Sequence, residues 1–176
     1  MHLLRSFVFL YTILTASAAF AGPESFTPGP VIMEYGRVAQ VEGAVPIAPD
    51  ATFMVVFDVS DAAEAGAISR RLESAARFLN MHVRAGVARE NIRLAIVVHG
   101  AAARDLTRQP QGGEANANVG LIASLVANGV DIYLCGQTAA HYDIGQDDLL
   151  PGVRLSLSAM TVHALLQQEG YTLNPF

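Results

Sequence analysis

The eight residues TFMVVFDV (Thr52–Val59) decide the fold. The run is apolar and rich in β-branched side chains, and it does not alternate between apolar and polar. A strand with one face in water alternates, whereas a strand covered on both faces does not. A second run of the same kind is NIRLAIVVHG (Asn91–Gly100). Between the two, AEAGAISRRLESAARFLNMHVRAG carries Ile68, Leu72, Ala75, Ala76, Leu79 and Val83 at helical spacing. Asp58, Ser60 and Asp61 stand ahead of this segment as short polar residues suited to cap it. His82 falls on the polar side of the helix and is expected in solvent. A buried strand, a helix and another buried strand imply parallel pairing, because parallel strands need a crossover connection.

The pattern continues toward the C-terminus. GGEANANVGLIASLVANGV predicts a helix from about Glu114 to Asn128, stopped by Gly129. VDIYLC is a third strand. RLSLSAMTVHALLQQEGY gives a short strand and then a helix ending at Gly170, and YTLNPF adds a small edge strand. TRQPQGG (Thr107–Gly113) is expected to be a mobile Gln/Gly/Pro insert ahead of the helix that begins near Glu114. The expected architecture over residues 51–176 is α/β, with a mostly parallel central sheet and helices on both faces.

The N-terminal fifty residues read differently. Residues 1–21 have Arg5 near the start, an apolar run from Phe7 to Leu14, and the small-x-small ending Ala19-Phe20-Ala21. That is the layout of a secretory signal peptide. Its apolar core is short against the roughly 20 residues a bilayer span needs. Cleavage after Ala21, no stable membrane insertion afterwards, and a periplasmic or secreted location are therefore expected. Residues 22–50 form a Pro/Gly-rich arm, with a short strand expected near Val38–Val41. Phe26, Ile32, Met33 and Tyr35 equip the arm to lie on the body of the protein or on a neighbouring subunit.

Composition excludes several function classes. There are 11 basic and 16 acidic side chains, and every basic one is an arginine. Removing residues 1–21, which hold Arg5 and no acid, takes the formal charge from −5 to −6. With no basic stripe, nucleic acid is not an expected partner. With no lysine, there is neither a Schiff-base lysine nor a P-loop. No GxSxG or GxGxxG motif occurs. One cysteine among scattered histidines, without CxxC or HxxxH spacing, does not make a metal site, so neither metal nor cofactor is expected. Asp147-Asp148 reads as a solvated turn or a cap.

Ligands of open parallel sheets collect beyond the carboxyl ends of the strands. Asp58 and Ser60 end the first strand, His99 and Gly100 the second, and Cys135, Gly136, Gln137 and Thr138 the third. Two readings of Cys135 stand side by side. If GQTAAHYD starts a helix, its N–H groups favour a thiolate and make Cys135 a nucleophile. Alternatively, IYLC ends in an inert buried thiol. Gly136 permits close backbone approach, and Gln137 and Thr138 offer donors. His99 is the candidate base or hydrogen-bond donor to the thiol, although, taken alone, a histidine satisfied by the neighbouring loop backbone is the commoner case. His141 is a weaker candidate, and His163 has a core or interface role.

Together, the strand ending in VVHG, the strand ending in YLCGQTA, and DLLPGVRLSLSAMTVHALLQQEGY resemble the DsrE/DsrF-like family of sulfur-relay proteins, over roughly Thr52–Phe176. The resemblance implies a small α/β fold and assembly as a homo-trimer or hexamer. It also implies a cysteine, here Cys135, that carries sulfur as a persulfide after a central strand. The expected function is thus a sulfurtransferase-like carrier that takes sulfane sulfur from a donor protein or small compound and passes it to a partner thiol. A lone cysteine fits transfer between chains, which needs no internal resolving thiol. The alternative is a non-catalytic module that binds a small ligand or a partner, with a structural Cys135. A Cys-His hydrolase using His99 ranks last, for want of an orienting acid and an oxyanion motif.

Overall fold

A computed structural model describes residues 22–109 and 115–174. The signal segment and residues 110–113 of the expected insert lie outside the described residues. The body is a five-stranded sheet in the order β4-β3-β2-β1-β5, parallel throughout. Its strands are β1 (Phe53–Val59), β2 (Ile92–Val98), β3 (Asp131–Cys135), β4 (Val153–Ser156) and β5 (Thr172–Asn174). The helices are α1 (Arg70–Arg84), α2 (Val119–Ala127), α3 (Gly136–His141) and α4 (Ala159–Gln168). The expected class and the small C-terminal edge strand are both present.

Topology sets the layers. From β1 to β4 the chain steps in one direction along the sheet, so right-handed crossovers keep α1, α2 and α3 on one face. From β4 it travels back across the sheet to place β5 beside β1. The same handedness then puts the connecting helix, α4, on the opposite face. The first face holds the main core, which includes Phe57, Leu72, Leu79, Ile96, Leu121, Ile132 and Leu134. The α4 face holds a smaller cluster of Val56, Ala95, Val97, Val162 and Leu166.

Several local expectations are corrected. The cap of α1 is Ser69, whose side chain accepts from the Leu72 N–H, and not Asp58, Ser60 or Asp61. The helix therefore starts at Arg70, which leaves Ile68 outside it and exposed. His82 is buried, stacked on Phe78 and edge-on to Phe53, with its Nδ1 at 2.8 Å from the Phe78 carbonyl oxygen. Helix α2 begins at Val119, because the Asn116 side chain is engaged with the backbone of Asp105, Thr107 and Asn118, and the Asn118 side chain accepts from the Ser69 N–H, contacts that compete with helical pairing. The segment between β2 and the insert is a 3₁₀ turn, Gly100–Leu106. Thr107, where the insert was expected to begin, is buried and bridges to Leu149.

The arm has no strand at Val38–Val41. Only an isolated antiparallel bridge joins Thr27 to Val38. The arm is fastened to α1 by Asn80, a fully buried residue whose side chain accepts from the N–H groups of Val31 and Ile32 and donates to the carbonyls of Ile32, Tyr35 and Gly36. Ile32 fills the main core of its own chain, while Phe26 and Met33 remain exposed.

Candidate functional site

The pleat decides which side chains meet. In β1, Val56 faces α4, so Asp58 does too. In β2, Ala95 and Val97 face α4, and the backbone of His99 stays extended at φ −149°, ψ −179°, so its side chain follows. In β3, Tyr133 packs on the same side, which places Cys135 there as well. The register pairs Val98 with Leu134, so one residue further along His99 and Cys135 are cross-strand neighbours. Asp58, His99 and Cys135 thus occupy one face of one sheet edge, under the N-terminal half of α4.

Cys135 ends β3 and occupies the N-cap position of α3. The neutral thiol makes no cap hydrogen bond of normal geometry; the surrounding donors act on the ionised form. Burial alone pushes the Cys135 thiol up. The Thr138 and Ala159 backbone N–H groups, the Thr138 hydroxyl and the Gln137 N–H outweigh that penalty and bring it below the ordinary thiol value. Donors therefore come from two helices, α3 and the first residue of α4. Thr138 is itself set in place: its Oγ1 accepts from the Gly100 N–H at 3.1 Å. Gly100 turns the chain there with φ of +57°. Gly136 is required by contact, since a Cβ would lie 2.2 Å from the Ser156 carbonyl oxygen.

The residue surface of Cys135 is 6% exposed. The site is nevertheless shallow: Gln137 is exposed and Gly136 and Thr138 are half-buried just above the thiol. The Gln137 side chain donates to the Leu157 carbonyl at 3.3 Å. Ser60 enters through its backbone, accepting from the Ala102 N–H. His141 sits against Tyr142 at the far end of α3.

His163 was placed only loosely by the sequence. Its Nε2 lies 2.7 Å from Asp58 Oδ1, and His99 Nε2 lies 3.2 Å from Asp58 Oδ2. Burial pushes the Asp58 carboxyl up, but hydrogen bonds from His163 and then His99, strengthened by coulombic attraction when an imidazole is protonated, hold it below its ordinary value. An ionised carboxylate only accepts, so both Nε2 atoms carry the hydrogen. The other nitrogen of His163, Nδ1, is buried and has no hydrogen-bond partner. The signal for His163 was present: Ala159, Val162, His163 and Leu166 follow the i, i+3, i+4, i+7 stripe of an inward helix face, and a histidine on such a stripe needs a partner.

Among the described residues, no group of three or more His, Cys, Asp or Glu side chains is arranged to hold a metal ion. No helix among them is long and apolar enough to cross a membrane. A cleft of about 520 Å³ lies between the Gly100–Leu106 turn and the chain after α3, lined by residues that include Arg104, Arg108, Tyr142 and Asp147. Cys135 does not line it, and Arg104 and Arg108 donate to the carbonyls of Ala63 and Asp147.

Comparison with known proteins agrees with the architecture. A protein of unknown function, MTH1491 from Methanobacterium thermoautotrophicum, superposes with a TM-score of 0.51 at 24% identity, covering 70% of this chain and 99% of its own. The ychN protein from E. coli does so with a TM-score of 0.52 at 18% identity, covering 70% of this chain and all of its own. At these identities the likeness establishes the fold. No curated protein shows significant similarity to the chain. The DsrE/DsrF-like family model matches residues 52–175, a span that holds β1–β5 and α1–α4, and the chain belongs to the DsrE/DsrF-like family.

Proposed function

We propose that the protein is a sulfur carrier in which Cys135 accepts a sulfane sulfur, holds it as a persulfide and passes it to a partner thiol. The observation that carries this reading is the ring of donors from α3 and α4 around the Cys135 sulfur, which favours the thiolate. The thiolate is the form that attacks a sulfane sulfur. Family membership is compatible with the role. Incubation with polysulfide is expected to add about 32 Da per chain, one sulfur for one attacking thiolate, and Cys135→Ser is expected to add none. Absence of uptake by the unaltered protein overturns the reading.

The low exposure of Cys135 favours a second reading, a binding module with a structural thiol. Alkylation at mildly acidic pH separates the two: a carrier thiol reacts there, whereas a sealed one stays silent. The carrier reading also includes export, with Gly22 as the mature N-terminus, which N-terminal sequencing of periplasmic protein tests. It further includes assembly as a trimer or a multiple of it, supported by the exposed Phe26, Met33, Leu157 and Met160. A stable monomer in light scattering contradicts that assembly.

A further inference from the structure

We propose that Asp58 and His163 are positioning residues for Cys135, acting through His99: the carboxylate held between two imidazoles fixes the orientation and tautomer of His99, the imidazole next to the thiol in the strand register. This rests on the carrier reading and adds a proton path to it.

Four observations support the assignment. Each Asp58 oxygen is committed to one imidazole, Oδ1 to His163 and Oδ2 to His99, so the carboxylate cannot rotate freely. With Nε2–H of His99 donated to Asp58, its Nδ1 is the nitrogen left to exchange a proton. His163 keeps a buried nitrogen without a partner, a cost that core packing alone does not explain. Finally, α4 reaches the site twice: the Ala159 N–H faces the thiol, and His163, four residues on and on the same helix side, grips the carboxylate. One rigid helix therefore sets the distance between thiol and relay.

The step balances without an oxidant or reductant. Cys135 gives its proton to His99 Nδ1, leaving a thiolate and an imidazolium beside Asp58. The thiolate attacks the outer sulfur of a low-molecular-weight persulfide, R–S–SH. A new bond joins Cys135 Sγ to that sulfur, the R–S to S bond breaks, and the departing R–S⁻ takes the proton from His99. Titratable groups facing this space are Cys135 and Tyr133 from β3, His99 from β2, Asp58 from β1 and His163 from α4. Arg154 of β4 lies over the Tyr133 ring.

Two reactions test the assignment on the whole protein between about pH 5 and 8, where imidazoles titrate: sulfur uptake from the persulfide, read by intact mass, and alkylation of Cys135 by iodoacetamide. His163→Leu is expected to slow uptake roughly tenfold, a fraction of what acid–base groups commonly contribute, and to change the pH profile of both reactions. His163→Gln, whose amide donates to Asp58 from nearly the same place, is expected to recover most of the rate. Asp58→Asn is expected to behave like His163→Leu, and it carries the test if the leucine variant does not fold by circular dichroism. Folded variants with unchanged rates and unchanged pH profiles overturn the relay and leave the carrier reading standing. An unaltered protein that takes up no sulfur overturns the carrier reading. The relay is then decided by the alkylation profiles, which need no sulfur donor: altered profiles in the variants support it and identical ones overturn it.

Discussion

The two faces of the sheet are built from the same strands but to different standards. On the face under α1 and α2, alternate strand residues are large, apolar and sealed: Phe57, Ile96, Ile132 and Leu134 are all essentially without solvent contact. On the face under α4 the same strands present Val56, Ala95 and Val97, then Asp58, His99 and Cys135 toward their carboxyl ends. One helix covers that face, and it leaves Met160 and Leu165 exposed. The larger apolar core lies on the first face, and the polar cluster proposed as the site lies on the second. The right-handed crossover rule produced the division, because only the returning connection to β5 could cross the second face.

Substitution should separate the faces. The largest loss of stability is expected from Leu79→Ala, which empties a fully buried site between α1 and the sheet. A Leu→Ala change of this kind costs about 2–5 kcal/mol, measurable as a lower urea midpoint. Sulfur uptake by the fraction still folded should be unchanged, and loss of uptake in folded protein would break the division of labour.

Asn80→Ala comes next. It strands the Val31 and Ile32 N–H groups and three carbonyls at once. Each buried group left without a partner costs about 1–3 kcal/mol, less whatever the arm recovers by detaching into water. We expect a net loss of about 2 kcal/mol, with limited proteolysis cutting between Gly22 and Asp50. An arm that stays resistant would mean the bridge and Ile32 hold it unaided.

On the α4 face, Val162→Ala removes two methyl groups from a small cluster and is expected to cost about 1 kcal/mol, well below Leu79→Ala. Gly136→Ala sharpens the contrast. Its Cβ must displace the Ser156 carbonyl and with it the β4–α4 connection that brings Ala159 to the thiol. Iodoacetamide alkylation at mildly acidic pH should slow several-fold while the core on the other face keeps the protein folded. Unchanged alkylation would remove α4 from the account of the thiol.

The unequal finish of the two faces also explains what the sequence disclosed. Strands β1 and β2 were legible because apolar runs without alternation report burial on both sides. Cys135, His99 and Asp58 were legible as strand ends. What bound them together was not, because His163 meets Asp58 across 105 residues and no local pattern encodes such a pairing. Burial of His82 is not legible from its polar helix position: it stacks on Phe78 of its own helix, and Phe53 from another element meets it edge-on. The arm's attachment rested on one asparagine among several polar residues of α1.

The smallest expected effect is a pair of opposed acid responses, one from each face. Asp105, on the side of the main core, accepts from the Ala63 N–H at 2.9 Å, yet burial pushes its carboxyl up further than that bond and Arg104 pull it down. In the folded state it binds a proton more readily than in the unfolded chain. Its ionisation therefore opposes folding, and the penalty is relieved as pH falls through its raised folded value. Asp58 is the reverse. Its carboxyl is held low by His163 and His99 against the pull of burial, so its contribution is complete above the unfolded aspartate value, near about 3.9, and is lost as pH falls through the lowered folded value. Acidification should first ease Asp105 and only later cost the Asp58 contribution. Urea midpoints measured from about pH 6 down to pH 3 should accordingly fall less steeply in the upper part of that range than in the lower. Asp105→Asn should remove the early relief and Asp58→Asn the late loss. If Asp58→Asn leaves the steep acid limb intact, the two histidines do not stabilise that carboxylate in solution, and the polar cluster under α4 loses its energetic basis.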